Sequence, residues 1–171
     1  MKSVSMPEIA YLSLGSNVGD REKQLRGAID RLGAVGRVVS TSSFYETEPV
    51  EFTLQAWFLN CAVALETTRT PQQLMAALLD IEREMGRRRN QSKGPRTIDL
   101  DILLFGDAVI DSRVTDSPQL RVPHPAMAER RFVLEPLVEI APEALHPTLK
   151  KTARELLDAL PAGQVVRRVS F

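Results

Sequence analysis

The sequence predicts an α+β protein with a ferredoxin-like βαββαβ core: an antiparallel sheet with two helices on one face, followed by short C-terminal helices and a strand. Three observations predict it. β-Branched and alternating apolar runs are interleaved with two amphipathic helical stripes in the order strand, helix, strand, strand, helix, strand. Both helices open on side chains suited to capping. From Pro118 onward prolines crowd at 123, 125, 136, 142 and 147, which leaves room only for short helices after the core.

Taken in order, Ile9–Leu14 reads as a strand stopped by Gly15-Ser16-Asn17. Asp20 caps a helix whose Leu25, Ala28, Ile29 and Leu32 fall on one stripe, with Gly33 past its end. Val38–Tyr45 is the second strand, and Trp57–Leu65, after a loop holding Pro49, is the third. Thr70-Pro71-Gln72-Gln73 combines an N-cap, a proline at the first helical position and a glutamine three residues after the cap. That helix carries Leu74, Ala77, Leu78, Ile81 and Met85 and ends at Gly86. Ile98–Phe105 is the fourth strand, and Gly106-Asp107 turns it into a short partner around Val109-Ile110. Ala153–Leu160 is a last helix, and Val165–Phe171 a final strand.

Composition narrows the function. The 171 residues are 43% hydrophobic and 26% charged, enough for one domain with its own core, and residues 1–171 are expected to form it. Twenty-two basic and 22 acidic side chains cancel, without the basic excess of a protein that coats nucleic acid or anionic membranes. Cys61 stands alone, so nothing points to an oxidising compartment, and it reads as a core residue. With neither a run of 18 apolar residues nor a signal-like N-terminus, the expected location is cytoplasmic.

The sharpest local feature is Ile98-Asp-Leu-Asp-Ile-Leu-Leu-Phe105. Strand alternation puts Ile98, Leu100, Ile102 and Leu104 on one face and Asp99 and Asp101 on the other, roughly 6.5–7 Å apart. Alone, such a pair is more often a solvated strand face than a site; its neighbours change the reading. Between residues 83 and 96 stand Arg83, Arg87, Arg88, Arg89, Lys93 and Arg96 against Glu84 alone. Guanidinium groups grip phosphate oxygens bidentately, and carboxylates hold the cations that accompany polyphosphates. Pro123-His124-Pro125 fixes an imidazole in a stiff segment shortly before Arg130, Arg131 and Phe132. His146 has no such company and reads as structural. On the third strand Leu59, Cys61, Val63 and Leu65 make the apolar face, leaving Phe58 to stack on a flat ring and Asn60 to read its edge.

Gly94-Pro-Arg-Thr-Ile-Asp-Leu-Asp-Ile-Leu-Leu-Phe-Gly106 resembles the signature of the 6-hydroxymethyl-7,8-dihydropterin pyrophosphokinase family of folate biosynthesis. Leu14-Gly-Ser-Asn17, Ser43-Phe-Tyr45, Phe58-Leu-Asn60, Val122-Pro-His-Pro125, Arg131-Phe-Val-Leu134 and Glu139-Ile-Ala-Pro142 are similar to its further blocks. The resemblance implies transfer of pyrophosphate from ATP to the pterin's hydroxymethyl group, releasing AMP. It implies two Mg2+ ions on Asp99 and Asp101, and Arg87, Arg89 and Arg96 as catalytic groups. Arg89 and Arg96, with Glu82, His124 and Arg130, would hold the nucleotide. The pterin would lie between Phe58 and Phe132, read by Asn60, Thr47 and the chain around Pro49 and Val50. Lys93 stands where many relatives have tryptophan, Phe58 where tyrosine is frequent, and Pro125 where some have tyrosine. ATP and the pterin are the expected partners, with neither nucleic acid nor membrane, and a monomer is expected. Two other readings remain open: an RNA-binding module, which would want aromatics rather than acids on the sheet face, and a metal-dependent phosphohydrolase using water as nucleophile.

Overall fold

The computed structural model describes residues 6–48, 57–86, 97–111 and 120–171. The expected site residues Pro49, Val50, Arg87, Arg89 and Arg96 lie outside the described residues, as does Lys93.

Strand β1 (Glu8–Ser16) is followed by helix α1 (Arg21–Leu32), strands β2 (Arg37–Thr41), β3 (Phe44–Thr47) and β4 (Phe58–Thr67), helix α2 (Pro71–Glu84) and strand β5 (Asp99–Phe105). The sheet runs β5-β1-β4-β3 and ends on β8 (Val166–Val169), with β2 also paired to β4 and every pairing antiparallel. This is the ferredoxin-like order, except that the expected second strand is two strands. Its break has a local cause. Ser42 accepts the Ala62 N–H at its hydroxyl oxygen (2.8 Å) while its own N–H donates to the Ala62 carbonyl (2.9 Å). A side chain thus takes the place of a ladder carbonyl between β2 and β3.

Both helices begin as the sequence predicts. The Asp20 carboxylate accepts the Lys23 N–H (3.1 Å), and Thr70 and Gln73 close a reciprocal capping box (3.1 and 2.9 Å). Gly86 ends α2 at φ 86°, a left-handed conformation that a side chain would strain. The stripes of α1 and α2 pack on Ala10, Leu12, Leu14, Leu59, Cys61, Val63 and Leu65 to make the main core.

β1 runs through Gly15 and Ser16 instead of stopping before them. Leu104 also departs from the expected alternation. β1 and β5 slip in register between Tyr11 and Leu12, where Tyr11 faces Leu104 and Leu12 faces Ile102, leaving Leu103 as an extra residue. Past this bulge the faces exchange, so Leu104 joins Leu103 in the second core cluster and Phe105 lies in the first. The expected strand around Val109-Ile110 does not form; Ile110 makes a lone bridge to Val122.

The C-terminal third covers the opposite sheet face, which the two-helix expectation left open. Helix α3 (Arg131–Ile140), strands β6 (Leu145–His146) and β7 (Lys151–Thr152) and helix α4 (Ala153–Asp158) follow the Met127–Glu129 turn, and β8 (Val166–Val169) adds to the sheet edge beside β3. α3 runs ten residues with Pro136 inside it, longer than proline crowding suggested, because Val133, Leu134, Leu137 and Val138 are buried against the sheet and α4. His146 is structural, its Nδ1 accepting the Thr148 and Leu149 N–H groups (3.3 and 3.1 Å). Among the described residues no helix is long and apolar enough to cross a membrane.

Glu139 near the end of α3 fastens that helix to β3. It accepts from the Tyr45 hydroxyl (2.5 Å), the Ser43 N–H (2.8 Å) and the Ser43 hydroxyl (3.1 Å). Burial alone would raise its carboxyl pKa, but these three hydrogen bonds hold it below the usual value. Glu139→Gln keeps the shape and removes the charge, and is expected to cost about 1–2 kcal/mol. For a chain of this size that lowers Tm by several degrees, at about 2–4 °C per kcal/mol. Tyr45→Phe should lose less, and the pair should be non-additive in a thermal double-mutant cycle. Additive losses would show that the clasp is not a unit.

Candidate active site

On β1, β4 and β5 the side chains facing α3 change character along the strands. At one end Tyr11, Ala62, Leu103 and Leu104 pack under α3 and α4. At the other end cross-strand register places Asp101 beside Ser13, and it sets Asp99, Gly15, Asn60 and Tyr45 in one row. Thr47 pairs with Phe58 in the next row. The polar half of one sheet face therefore gathers most of the described candidate residues.

The glycine in that row has a specific task. A Cβ on Gly15 would lie 2.6 Å from Asn60 Oδ1, closer than real contacts allow. Asn60 leans across β1 through the space a side chain would fill. Its amide donates to Thr47 Oγ1 (2.8 Å), and both residues are buried. The sequence showed Gly15 only as a turn residue; a glycine inside an otherwise apolar strand was the available signal of close approach.

Asp99 and Asp101 are half-buried on the same face, as alternation predicted. β5 is an edge strand, and its outward-facing backbone groups are met by two neighbours. The buried Glu82 carboxylate of α2 accepts the Leu100 N–H (2.8 Å), and the His124 N–H donates to the Leu103 carbonyl (2.9 Å). The strand holding both aspartates is thus tied down from its open side, and His124 is brought to the same edge.

His124 Nδ1 accepts the Ala126 N–H (3.2 Å), so in the neutral ring the proton sits on Nε2 as a donor. Burial pushes its pKa down to about 4, with Arg130 acting in the same direction and Asp99 opposing it. His124, Arg130 and Asp99 therefore lie near enough to one another to couple electrostatically. The Arg130 guanidinium lies over the Phe132 ring, 5.6 Å from its centre. Arg131 is otherwise employed, donating to the Leu160 and Pro161 carbonyls (3.4 and 3.1 Å). Cys61 is buried in the main core, where burial pushes its thiol up to about 12 and keeps it protonated.

Two carboxylates, a buried amide–hydroxyl pair, aromatic rings and a fixed imidazole on a ferredoxin-like sheet make the plan of a group-transferring enzyme. Residues 11–142 match the family model described as 7,8-dihydro-6-hydroxymethylpterin-pyrophosphokinase, and the chain belongs to that family. Pyrophosphoryl transfer to hydroxymethyldihydropterin in folate biosynthesis is the activity that this membership carries. A 2-amino-4-hydroxy-6-hydroxymethyldihydropteridine pyrophosphokinase of Bacillus subtilis is 50% identical over 137 residues, 79% of each chain. One of Methylorubrum extorquens is 45% identical over 158 residues, 90% of this chain and 95% of the relative. The folic acid synthesis protein fol1 of Schizosaccharomyces pombe is 43% identical over 96% of this chain, which spans only 22% of that longer protein. A crystal structure of Plasmodium falciparum HPPK-DHPS superposes with a TM-score of 0.70 at 17% identity, over 90% of this chain and 45% of that one, a likeness of fold.

The depressed His124 pKa makes a pH prediction with a definite sign. Below about 6.5 the unfolded chain takes up a proton that the folded ring refuses until about 4. The stability that the neutral ring contributes is complete above about 6.5, is lost as pH falls towards 4, and is constant below that. His124→Asn keeps an acceptor for Ala126 and abolishes the titration. In thermal melts with EDTA, wild type should lose its advantage over the variant between pH 6.5 and 4, at up to about 1.4 kcal/mol per pH unit. Parallel profiles would contradict it.

Proposed function

We propose that this chain uses ATP and Mg2+ to pyrophosphorylate 6-hydroxymethyl-7,8-dihydropterin, forming the pterin diphosphate and AMP. It does so as a single domain of residues 1–171, as a monomer in the cytoplasm. The observation that carries the reading is the one half-face on which Asp99 and Asp101 stand beside Gly15, Asn60, Thr47 and Phe58. A polyphosphate side and a flat-ring side adjoin there.

Two half-buried carboxylates suit magnesium. Among the described residues no group of three or more His, Cys, Asp or Glu side chains is gathered as a metal cage. Mg2+ is commonly held by one or two carboxylates, with substrate phosphates and water completing its shell, and Asp99 and Asp101 supply that share. Bound there, two ions would neutralise the phosphate charge that resists attack. His124, with its proton on Nε2, and Arg130 offer donors to the nucleotide, and Glu82 belongs to the same side. Arg87, Arg89 and Arg96, outside the described residues, complete the phosphate grip.

On the pterin side, Phe58 and Phe132 flank the ring. Asn60 and Thr47 read its edge, together with the chain at Pro49 and Val50. The hydroxymethyl oxygen attacks the β-phosphorus of ATP, the bond from that phosphorus to the α,β-bridging oxygen breaks, and AMP leaves with that oxygen. The hydroxyl proton passes to solvent. No covalent enzyme intermediate is needed, since positioning and charge neutralisation suffice for such a transfer.

Product analysis tests this directly. Chromatography of a reaction holding ATP, Mg2+ and the hydroxymethylpterin should give AMP one-for-one with pterin diphosphate. Dominant ADP, or nucleotide turnover without pterin, would overturn the reading in favour of a phosphohydrolase. Asp99→Asn and Asp101→Asn should each cost on the order of a hundredfold in turnover at saturating Mg2+ while melting normally. Gly15→Ala tests the place of Asn60: displaced by the new Cβ, Asn60 should bind pterin about tenfold more weakly, with ATP binding unchanged, read as separate KM values. An unaltered pterin KM would remove Asn60 from the pterin side.

A further inference from the structure

Thr47 and Phe58 form the last cross-strand pair before the chain leaves the sheet after β3 and re-enters it at β4. β3 is only four residues long and pairs with β4 at three positions, too little to hold that end of the sheet in register unaided. Its other side is covered by β8, whose Val166 faces Thr47 and whose Val169 faces Phe44. β8 lies past residue 142, where the family match ends.

Further contacts converge on the same exit and entry. Gln164 Nε2 donates to the Glu48 carbonyl (3.3 Å), and the Val165 N–H donates to Glu48 Oε1 (3.3 Å). The Arg167 guanidinium lies 5.4 Å from the centre of the Trp57 ring and 3.7 Å from the Glu46 carboxylate. From the opposite side, at the start of α1, Arg21 donates to the Trp57 carbonyl (2.9 Å) and lies 3.5 Å from the same carboxylate. Glu46, mostly buried at 18% side-chain exposure, is thus shared by two arginines that each also hold Trp57.

We propose that β8 and Arg21 form a clamp that fixes the spacing of Thr47 and Phe58, and so sets the pterin affinity of the site without touching the pterin. These are positioning residues, and the inference rests on the pterin reading above. Each exposed contact is weak alone. Together they hold a pair whose separation decides whether a ring can be stacked by Phe58 and read by Thr47 and Asn60 at once. The aspartates on β5 are separated from β4 by β1 and from β3 by β1 and β4, so the clamp should leave the nucleotide side unaffected.

Steady-state AMP formation by the whole chain, with pterin and ATP varied in turn, provides the test. The double variant Gln164→Ala, Arg167→Ala should raise the pterin KM about five- to tenfold, with the ATP KM and kcat within about twofold. Arg167→Lys, which keeps the charge opposite Glu46, should recover most of the loss. Arg21→Ala, acting from the other side, should give the same pterin-specific change. A purely structural role would lower Tm and the active fraction, hence apparent kcat, and leave both KM values in place; that result, or equal rises in both, overturns the clamp. If wild type makes no AMP from ATP and pterin, the functional reading itself fails. A wild type that turns over normally beside variants with an unchanged pterin KM sinks only the clamp.

Discussion

Gly15 stands between Asp99 on one neighbouring strand and Asn60 on the other, and the site depends on its having no side chain. In an antiparallel sheet, residues directly opposite one another share a face at roughly 5 Å spacing. The β5-β1-β4-β3 order therefore spreads one row of side chains across four strands. With a Cβ in the middle, Asn60 could not keep both its place over β1 and its bond to Thr47. The empty position lets the amide bury itself, and a buried amide is tolerable only because its hydrogen bonding is met.

The same row explains how the second face is divided. Tyr45, its last member on β3, donates its hydroxyl to Glu139 of α3. That bond, with those from Ser43, sets where α3 ends on the sheet. The apolar surface of α3 then covers Tyr11, Ala62 and the Leu103-Leu104 bulge, and the polar end is left for chemistry. The bulge matters here too. By exchanging the faces of β5 it turns Leu104 towards α3 beside Leu103, which shares the face of Asp99 and Asp101. One strand therefore contributes carboxylates to the site and leucines to the core beneath α3, on the same face.

Much of this was legible in the sequence, and what was not has physical reasons. Element order, both helix caps, the aspartate face and the apolar face of β4 follow from period and side-chain chemistry, which are local. The break at Ser42, the bulge at Leu103 and the continuation of β1 through Gly15 depend on a neighbouring strand, and no single segment reports its partner. α3 was underestimated because Pro136 counts against a helix locally, whereas burial of Val133, Leu134 and Leu137 counts for it only once the sheet exists. Family resemblance named Asn60 and Thr47 for the pterin side; that they are bonded to each other emerges only from the register of β3 against β4.

Glu82 shows how far a side chain's place in the fold can refine a role suggested by resemblance. It is 2% exposed, and its carboxylate accepts the backbone N–H of Leu100, the residue between the two aspartates. An edge strand must satisfy its outward N–H groups somehow. Here an acidic side chain does so beside a site that already carries two carboxylates. Asp99 and Asp101 stand half-buried on the face of β5, whereas Glu82 meets the same strand's backbone at its outer edge. The edge is then completed by His124, whose backbone N–H meets the Leu103 carbonyl. Its imidazole is kept neutral by burial, and with Nδ1 accepting the Ala126 N–H it carries its proton on Nε2 at that same edge.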